Sequence, residues 1–421
     1  MSYFQYRDGV LHVEDITLTA IACAEGTPFY VYSAEALRHN FRVFCDAFKG
    51  MDIFIAYALK ANSNQAILTL LRKEGAGADV VSEGDMRRAL AAEISAKKIV
   101  YSGVGKTVDE INFALSQNIY CFNVESETEL IQLSQQAVAV GKKAPTSLRI
   151  NPDVDAKTHK KILTGRSESK FGIPLSRAHD AYRLAASLPG IRICGVDVHI
   201  GSQICELLPF ETAFAIMARF VDELRQMGHT ISHVDIGGGL GISYDFDSSS
   251  LPSSADYAAT VQKYMGSLNV KLIAEPGRMI VGNSGMLVTS VIHVKKGADK
   301  NFIIVDAGMN DLIRPTLYDA WHTIIPVDEA KQNKTLIFAD IVGPICETGD
   351  YLGLARRLPK PVPGELLAIT NAGAYGAVMS NTYNTRLLVP EILVEGRRYD
   401  VIRPRPSYED LIGLDKVPNW L

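Results

Sequence analysis

Between about residues 50 and 276 the chain alternates short apolar runs with longer amphipathic segments. The runs are "IFIAYAL", "ADVV", "KIVYS", "IYCFNV", "SLRIN", "ICGVDVHI", "SHVDIG" and "VKLIAE". They are short, apolar and often β-branched, the pattern of strands buried on both faces. Between them, "SNQAILTLLRKEG" and "FETAFAIMARFVDELRQMG" repeat apolar residues at three- and four-residue steps and end in glycine, which predicts helices. "SETELIQLSQ" opens on a Ser-x-x-Glu capping pattern. Roughly eight βα units in about 230 residues is the size of a (β/α)8 barrel. A doubly wound open sheet is the competitor, and the unit count favours the barrel.

After Gly282 the pattern changes. "MLVTSVIHVKK", "NFIIVDAG", "TLIFADIV", "ELLAITNAG" and "EILVEGRRYDVI" are strand-like with few helices between them, which predicts an antiparallel β domain. "GVLHVEDITL" near the start is also strand-like and can join it. The expected division is a (β/α)8 TIM barrel over residues 27–277 and a β-sandwich or β-barrel-like domain from 1–26 and 278–421.

Composition narrows the function classes. The 421 residues are 47% hydrophobic and 21% charged, enough for a large core. Against 47 acidic residues stand 43 basic ones, without a basic stripe, which argues against nucleic acid as a partner. Six cysteines are scattered without a CxxC pair, so neither a structural metal site nor a disulfide scaffold is expected. The start "MSYFQYRDGV" does not read as a signal peptide, and no apolar run reaches membrane-spanning length. A reducing, cytoplasmic setting is expected.

In a barrel, strand ends gather at one mouth, where barrel active sites are built. Lys60 ends strand one, Asp79 lies in strand two, and His199 ends strand six in "DVHIGSQ". Gly237, Gly238, Gly239 and Gly241 follow strand seven in "DIGGGLG". Glu275 ends strand eight in "AEPGR", followed by Pro276, Gly277 and Arg278. A strand-end lysine ordinarily just turns to water. Glycines let backbone N–H groups approach phosphate oxygens, and a following helix start would add a favourable dipole. "SGVGKT" (102–107) ends like a phosphate loop, but Val100 stands where its first glycine belongs, so it reads as a turn capped by Thr107. A phosphate site beside a reactive lysine points to pyridoxal 5′-phosphate. Lys60 would form the Schiff base, His199 stack on the ring, and Glu275 face the pyridine nitrogen.

At these residues the chain resembles the fold-type III, alanine-racemase-like decarboxylases that use pyridoxal phosphate, and most of all the diaminopimelate decarboxylase family. The matching motifs are "YALKAN", "HIGSQ", "GGGLG", "EPGR", "NDLIRPTLYDAWH", "GPICETGD" and "GAYG", in family order from Tyr57 to Gly376. The resemblance implies a barrel followed by a β domain, and a head-to-tail homodimer with composite sites. It assigns Lys60 as the Schiff-base lysine, and Ser202, Gly239, the "EPGR" loop and Tyr375 to the phosphate. It brings Cys346 and Glu347 from the partner subunit, with Cys346 as proton donor to the carbon that CO2 leaves. Arg278, Arg314, Tyr318, Glu347 and Tyr375 would bind substrate. "TGRSESKFGI" is similar to the family's mobile loop, and Asp85 stands where relatives often have glutamate. The implied reaction is decarboxylation of meso-2,6-diaminopimelate to L-lysine. Rival readings are a decarboxylase of lysine, ornithine, arginine or carboxynorspermidine, or a silent cofactor-binding protein. An alanine racemase would place arginine, not Glu275, at the pyridine nitrogen.

Overall fold

The computed structural model describes residues 3–166, 168–245, 251–333 and 335–421. The chain forms two compact units, Arg38–Ser243 with Ser249–Ile280, and Met1–Leu37 with Tyr244–Ser248 and Val281–Leu421.

The first unit is a closed parallel barrel. Its strands are β1 (Ile53–Ala58), β2 (Gly77–Val80), β3 (Ile99–Tyr101), β4 (Cys121–Val124), β5 (Ala144–Asn151), β6 (Ile191–Asp197), β7 (His233–Asp235) and β8 (Lys271–Ala274). Each pairs with the next, and β8 pairs with β1 to close the ring. All eight apolar runs read as strands from the sequence are present. A two-residue strand, Ile173–Pro174, adds to the end of β5.

Side chains alternate along each strand, so every second residue points inward. At the bottom of the interior these positions are apolar: Ala56, Val100, Cys121 and Ile273 pack together, with Phe54 and Tyr120 against them. Two steps further along the same rows the residues turn polar. Val100 is followed by Ser102, Cys121 by Asn123, and Ile273 by Glu275, all buried. The barrel thus runs from an apolar floor to a polar mouth.

Helix starts follow local chemistry. Asn64 caps Gln65–Lys73, and Ser126 caps Glu127–Ala139 by accepting the Glu129 N–H. Thr107 and Glu110 form a reciprocal capping box at Val108–Gln117, so "SGVGKT" is a capped turn. Its lysine is structural. Lys106 Nζ is buried and donates to Gly103 O, Asn123 O and Glu129 Oε1 at 2.7–2.8 Å.

The second unit is built on a sheet of nine strands. Its long central strand, Gly285–Lys296, is antiparallel to Asn301–Val305, Leu366–Ile369 and Phe29–Ser33. Two pairings are parallel, Asn301–Val305 with Leu336–Val342 and Glu391–Glu395 with Phe29–Ser33, so the sheet is mainly rather than wholly antiparallel. Phe29–Ser33 falls inside the 27–277 range expected for the barrel, yet it is a strand of this sheet. The barrel unit begins only at Arg38. "EILVEGRRYDVI" is a hairpin, Glu391–Glu395 with Arg398–Arg403, turning at Gly396. Val10–Val13 joins a three-stranded sheet in the same unit, where Leu11 donates to Val327 O at 2.8 Å. Leu11, Val13, Phe29, Val31, Val288 and Ile392 share its core. Among the described residues no helix is long and apolar enough to cross a membrane.

Candidate active site

Lys60 lies two residues past β1, on the one-turn 3-10 helix Leu59–Ala61. The turn keeps its side chain over the mouth, partly exposed, with Nζ 2.5 Å from Oδ2 of Asp79. Asp79 is wholly buried in β2, and its Oδ1 has no partner among the described residues. The ammonium is therefore held at one fixed point by a carboxylate that cannot swing to solvent.

His199 follows β6 by two residues. Its Nδ1 accepts the Gly238 N–H at 3.0 Å, so any ring proton is on Nε2. Burial, with Arg149 and Lys60 nearby, pushes its pKa well below the usual imidazole range. The ring is a neutral, flat surface in a fixed orientation. Its carbonyl accepts from Thr164 Oγ1 at 2.9 Å and Arg149 Nη2 at 3.3 Å.

The glycine segment after β7 has no room for side chains. A Cβ on Gly238 would lie 2.2 Å from Glu275 O. One on Gly239, whose φ is +108°, would lie 2.4 Å from Gly201 O. These positions need glycine for close approach and for the left-handed backbone. The expected dipole contribution is small. The helix following β7 starts only at Ser254, and the one following β8, Arg278–Val281, is a single turn. Ser202 Oγ accepts from the buried Arg278 Nη2 at 3.0 Å. Pro276 O accepts the Ala58 N–H at 3.1 Å, tying the loop after β8 to the end of β1. Gly277 packs where a Cβ would meet Ala61 Cβ at 2.9 Å.

Glu275 is buried, and its carboxyl is pushed well above the usual range by burial and by Asp235, Asp79 and Asp197. Asp197, Asp235 and Glu275 have carboxylate oxygens within 4.8 Å of one another. Asp197 and Asp235 are register partners across β6 and β7. The sequence reading missed both, along with Asn123 and Arg149. The available signal was an aspartate interrupting the apolar runs "GVDVHI" and "HVDIGG" at matching positions.

Arg149 is buried, donates from Nη1 to Glu125 Oε1 at 3.1 Å, and lies 5.0 Å from the Phe171 ring. Glu125 Oε2 accepts the Gly172 N–H at 3.0 Å, and Asn151 Nδ2 donates to Arg166 O and Phe171 O. These contacts anchor both ends of the "TGRSESKFGI" segment, whose Ser167 lies outside the described residues. Asp85 acts locally: its Oδ2 accepts the Val81 N–H at 3.3 Å.

Ten of the expected site residues thus converge at one barrel mouth: Lys60, Asp79, His199, Ser202, Gly238, Gly239, Glu275, Pro276, Gly277 and Arg278. The other five belong to the β unit. Arg314 is buried there, with Nη1 donating to His322 Nε2 at 2.7 Å and its guanidinium 4.5 Å from the Tyr244 ring. Tyr318, half-buried, ends the short helix that Arg314 begins. Cys346 and Glu347 form an exposed loop, where Asn384 Oδ1 accepts the Cys346 N–H at 2.8 Å and Tyr383 donates to Glu347 at 2.7 Å. Tyr375 takes the left-handed backbone at φ +55°.

The mouth suits a flat, phosphorylated aldehyde. It offers a cradle that any Cβ would fill, a lysine amine held at a point, a neutral ring to stack on, and a carboxyl with access to a proton.

Comparison with known proteins agrees. Residues 34–282 match the family model described as pyridoxal-dependent decarboxylase, pyridoxal binding domain. The diaminopimelate decarboxylase of Zymomonas mobilis is 46% identical over 99% of both chains. That of Aquifex aeolicus is 45% identical over 97% of this chain and 96% of the relative. Among solved structures, diaminopimelate decarboxylase from Helicobacter pylori complexed with L-lysine has a TM-score of 0.90 at 41% identity, covering 94% of this chain and 98% of the other. With a family model over more than half its length and full-length relatives at this identity, the chain belongs to the diaminopimelate decarboxylase family of pyridoxal-dependent decarboxylases.

Proposed function

We propose that this chain decarboxylates meso-2,6-diaminopimelate to L-lysine and CO2 with pyridoxal 5′-phosphate, completing lysine biosynthesis, as a cytoplasmic homodimer with composite active sites. The observation that carries the reading is the Lys60–Asp79 contact at a mouth that also holds Glu275 and the glycine cradle. A reducing compartment suits the six free thiols.

Bound there, pyridoxal phosphate supplies the electron sink that accepts the electron pair left by departing CO2. Lys60 offers the amine for covalent attachment, and Asp79 holds that amine in place until exchange with substrate. The Gly239 N–H, with Ser202, Arg278 and Tyr375, binds the phosphate. His199 presents its neutral face to the ring, and its bond to Gly238 fixes the ring plane against the cradle. Glu275 holds a proton at the pyridine nitrogen. Arg314 and Tyr318 bind the distal carboxylate, and Glu347 the distal ammonium. Cys346, on the exposed loop of a second copy, gives a proton to the carbon that CO2 leaves. The support for these five β-unit assignments is residue chemistry and motif resemblance.

The test is CO2 release from the purified, cofactor-loaded protein given diaminopimelate, lysine, ornithine, arginine or carboxynorspermidine in turn. Release from diaminopimelate far above the others is expected. Comparable release from lysine or ornithine would overturn the substrate assignment.

A further inference from the structure

Asp235 and Glu275 lie too close, and too deep, to be two independent carboxylates. Both are buried at the mouth, with carboxylate oxygens within 4.8 Å of each other. Two carboxyl groups can share a hydrogen bond only if one proton lies between them. Burial, and then the charge of Asp235, push the Glu275 carboxyl well above the usual range, which favours keeping one proton on the pair. Asp197 adds a third buried carboxylate on the same face.

The surroundings decide which partner carries the proton. Asp235 accepts twice from fixed donors, at Oδ1 from the Gly237 N–H at 3.0 Å and at Oδ2 from Asn123 Nδ2 at 3.2 Å. Those bonds favour its ionised form. Glu275 has one long contact of this kind, from Ser102 Oγ at 3.4 Å. The charged and titratable groups facing the pair are Asp79 and Lys60 from the β1–β2 side, Arg149 from β5, Asp197 from β6 and Tyr257 from the helix Ser254–Met265. Of the two cations, Lys60 is engaged by Asp79 and Arg149 by Glu125. Asp197 Oδ1 and Asn123 Oδ1 are buried acceptors with no partner among the described residues.

We propose that Asp235 is a positioning residue that keeps one proton on Glu275 before the cofactor arrives, so that the pyridine nitrogen is protonated from within the barrel rather than from solvent. The step balances. The Glu275 O–H bond breaks and leaves its electron pair on the carboxylate, while the nitrogen lone pair takes the proton. The resulting carboxylate and pyridinium charges face each other. Burial and the neighbouring Asp235 push the Asp197 carboxyl well above the usual range too, so the three carboxyls hold protons as one cluster. This inference rests on the reading of Glu275 as the pyridine partner.

The test uses 4-deoxypyridoxine 5′-phosphate, which keeps the ring and phosphate but lacks the aldehyde, so no bond to Lys60 complicates the proton count. Its binding to cofactor-free protein is followed by titration calorimetry in buffers of different ionisation enthalpy, slightly above the free ligand's pyridine pKa. Wild-type protein is expected to take up no protons and to release a number equal to the fraction of free ligand that is already protonated. Asp235→Asn lets Glu275 ionise beforehand, so uptake should rise toward the fraction of free ligand that lacks the proton, up to about one per site. Asp197→Asn should shift uptake the same way by less, and it decides the matter if Asp235→Asn does not fold. Wild-type uptake already equal to that fraction, or uptake unchanged in the folded variants, overturns the proposal. Glu275→Gln separates the underlying reading. If it binds the ligand with wild-type affinity and proton count, Glu275 is not the pyridine partner at all.

Discussion

Replacing Arg314 by methionine should cost this protein its discrimination between diaminopimelate and lysine. Arg314 is 5% exposed, so its guanidinium is positioned by neighbours and not by water. Nη1 donates to His322 Nε2 at 2.7 Å, and His322 Nδ1 donates to Thr370 O at 2.8 Å. The guanidinium also lies over Tyr244 at 4.5 Å. Methionine matches the aliphatic stem but removes a donor and a cation. Losing the donor to a buried histidine costs about 1–3 kcal/mol, and losing the cation–π contact about 0.5–2 kcal/mol. A lowered melting temperature with the fold retained is the first expectation. The functional loss is separate. A hydrogen bond to a charged group is worth about 1.5–3 kcal/mol, so kcat/KM for diaminopimelate should fall roughly 10- to 150-fold. Lysine has no distal carboxylate and should lose little. The assay is CO2 release with each substrate, below the melting transition, with the cofactor absorbance recorded on the same samples. Arg314→Lys should fall between the two proteins, because an ammonium keeps the charge but not the two-bond fork. An unchanged ratio of kcat/KM values in Arg314→Met, with the absorbance intact, would show that another group reads the distal carboxylate.

Lys60→Ala should lose the visible absorbance that borohydride removes from wild-type protein, together with nearly all CO2 release; near-normal release would refute its covalent role. Cys346→Ala should lower kcat by about 10²–10⁴-fold with little change in KM, and full activity with unchanged product stereochemistry would make the thiol mere packing. Mixing Lys60→Ala with Cys346→Ala under conditions of subunit exchange should restore part of the activity, and no recovery would count against composite sites. His233 is buried in β7 with its pKa pushed down to about 4 by burial, and Ser147 Oγ lies 2.7 Å from its Nε2. Because the folded pKa is depressed, the stability it contributes is present above about pH 6.5 and is lost as pH falls toward about 4. Relative to His233→Gln, wild-type protein should therefore lose about 1.4 kcal/mol of its advantage per pH unit across that window, measured by urea unfolding. A gap independent of pH would refute it.

The barrel was legible because strands buried on both faces leave a local signature, a mainly apolar run of four to eight residues ended by something polar. The β sheet was less so. Phe29–Ser33 has the same look, "FYVYS" followed by a helical pattern, and only its pairing with Gly285–Val288 and Glu391–Val394 assigns it to the other unit. Long-range pairing is not written in a five-residue window. Tyr351–Pro359 was not read as a strand because two arginines break its alternation, and the left-handed Ala355 marks a bulge there. At the site, residues at strand ends were found and residues one step deeper were missed. Asp197, Asp235, Asn123 and Arg149 each lie inside a run whose apolar neighbours mask them.

Two buried polar groups in this barrel show what separates support from chemistry. Lys106 has three acceptors, Gly103 O, Asn123 O and Glu129 Oε1, and one of them carries the opposite charge. Glu129 is satisfied in turn by Lys106 and by the Glu125 N–H. Such a network repays its own desolvation and fixes the turns that begin two helices. At the mouth the accounts are left open. Asp79, Asn123 and Asp197 each keep a buried acceptor atom without a donor among the described residues, although burying such a group unpaired costs about 1–3 kcal/mol. Three buried carboxyls lie within 4.8 Å although their charges repel. A fold selected for stability alone would replace them with apolar residues, as it has at Ala56, Val100, Cys121 and Ile273 two steps below. The strain at these groups lies at inward positions near Lys60 and Glu275. A proton held among the carboxyls relieves part of it, and a heteroaromatic ring that takes up that proton becomes a cation facing the carboxylate left behind.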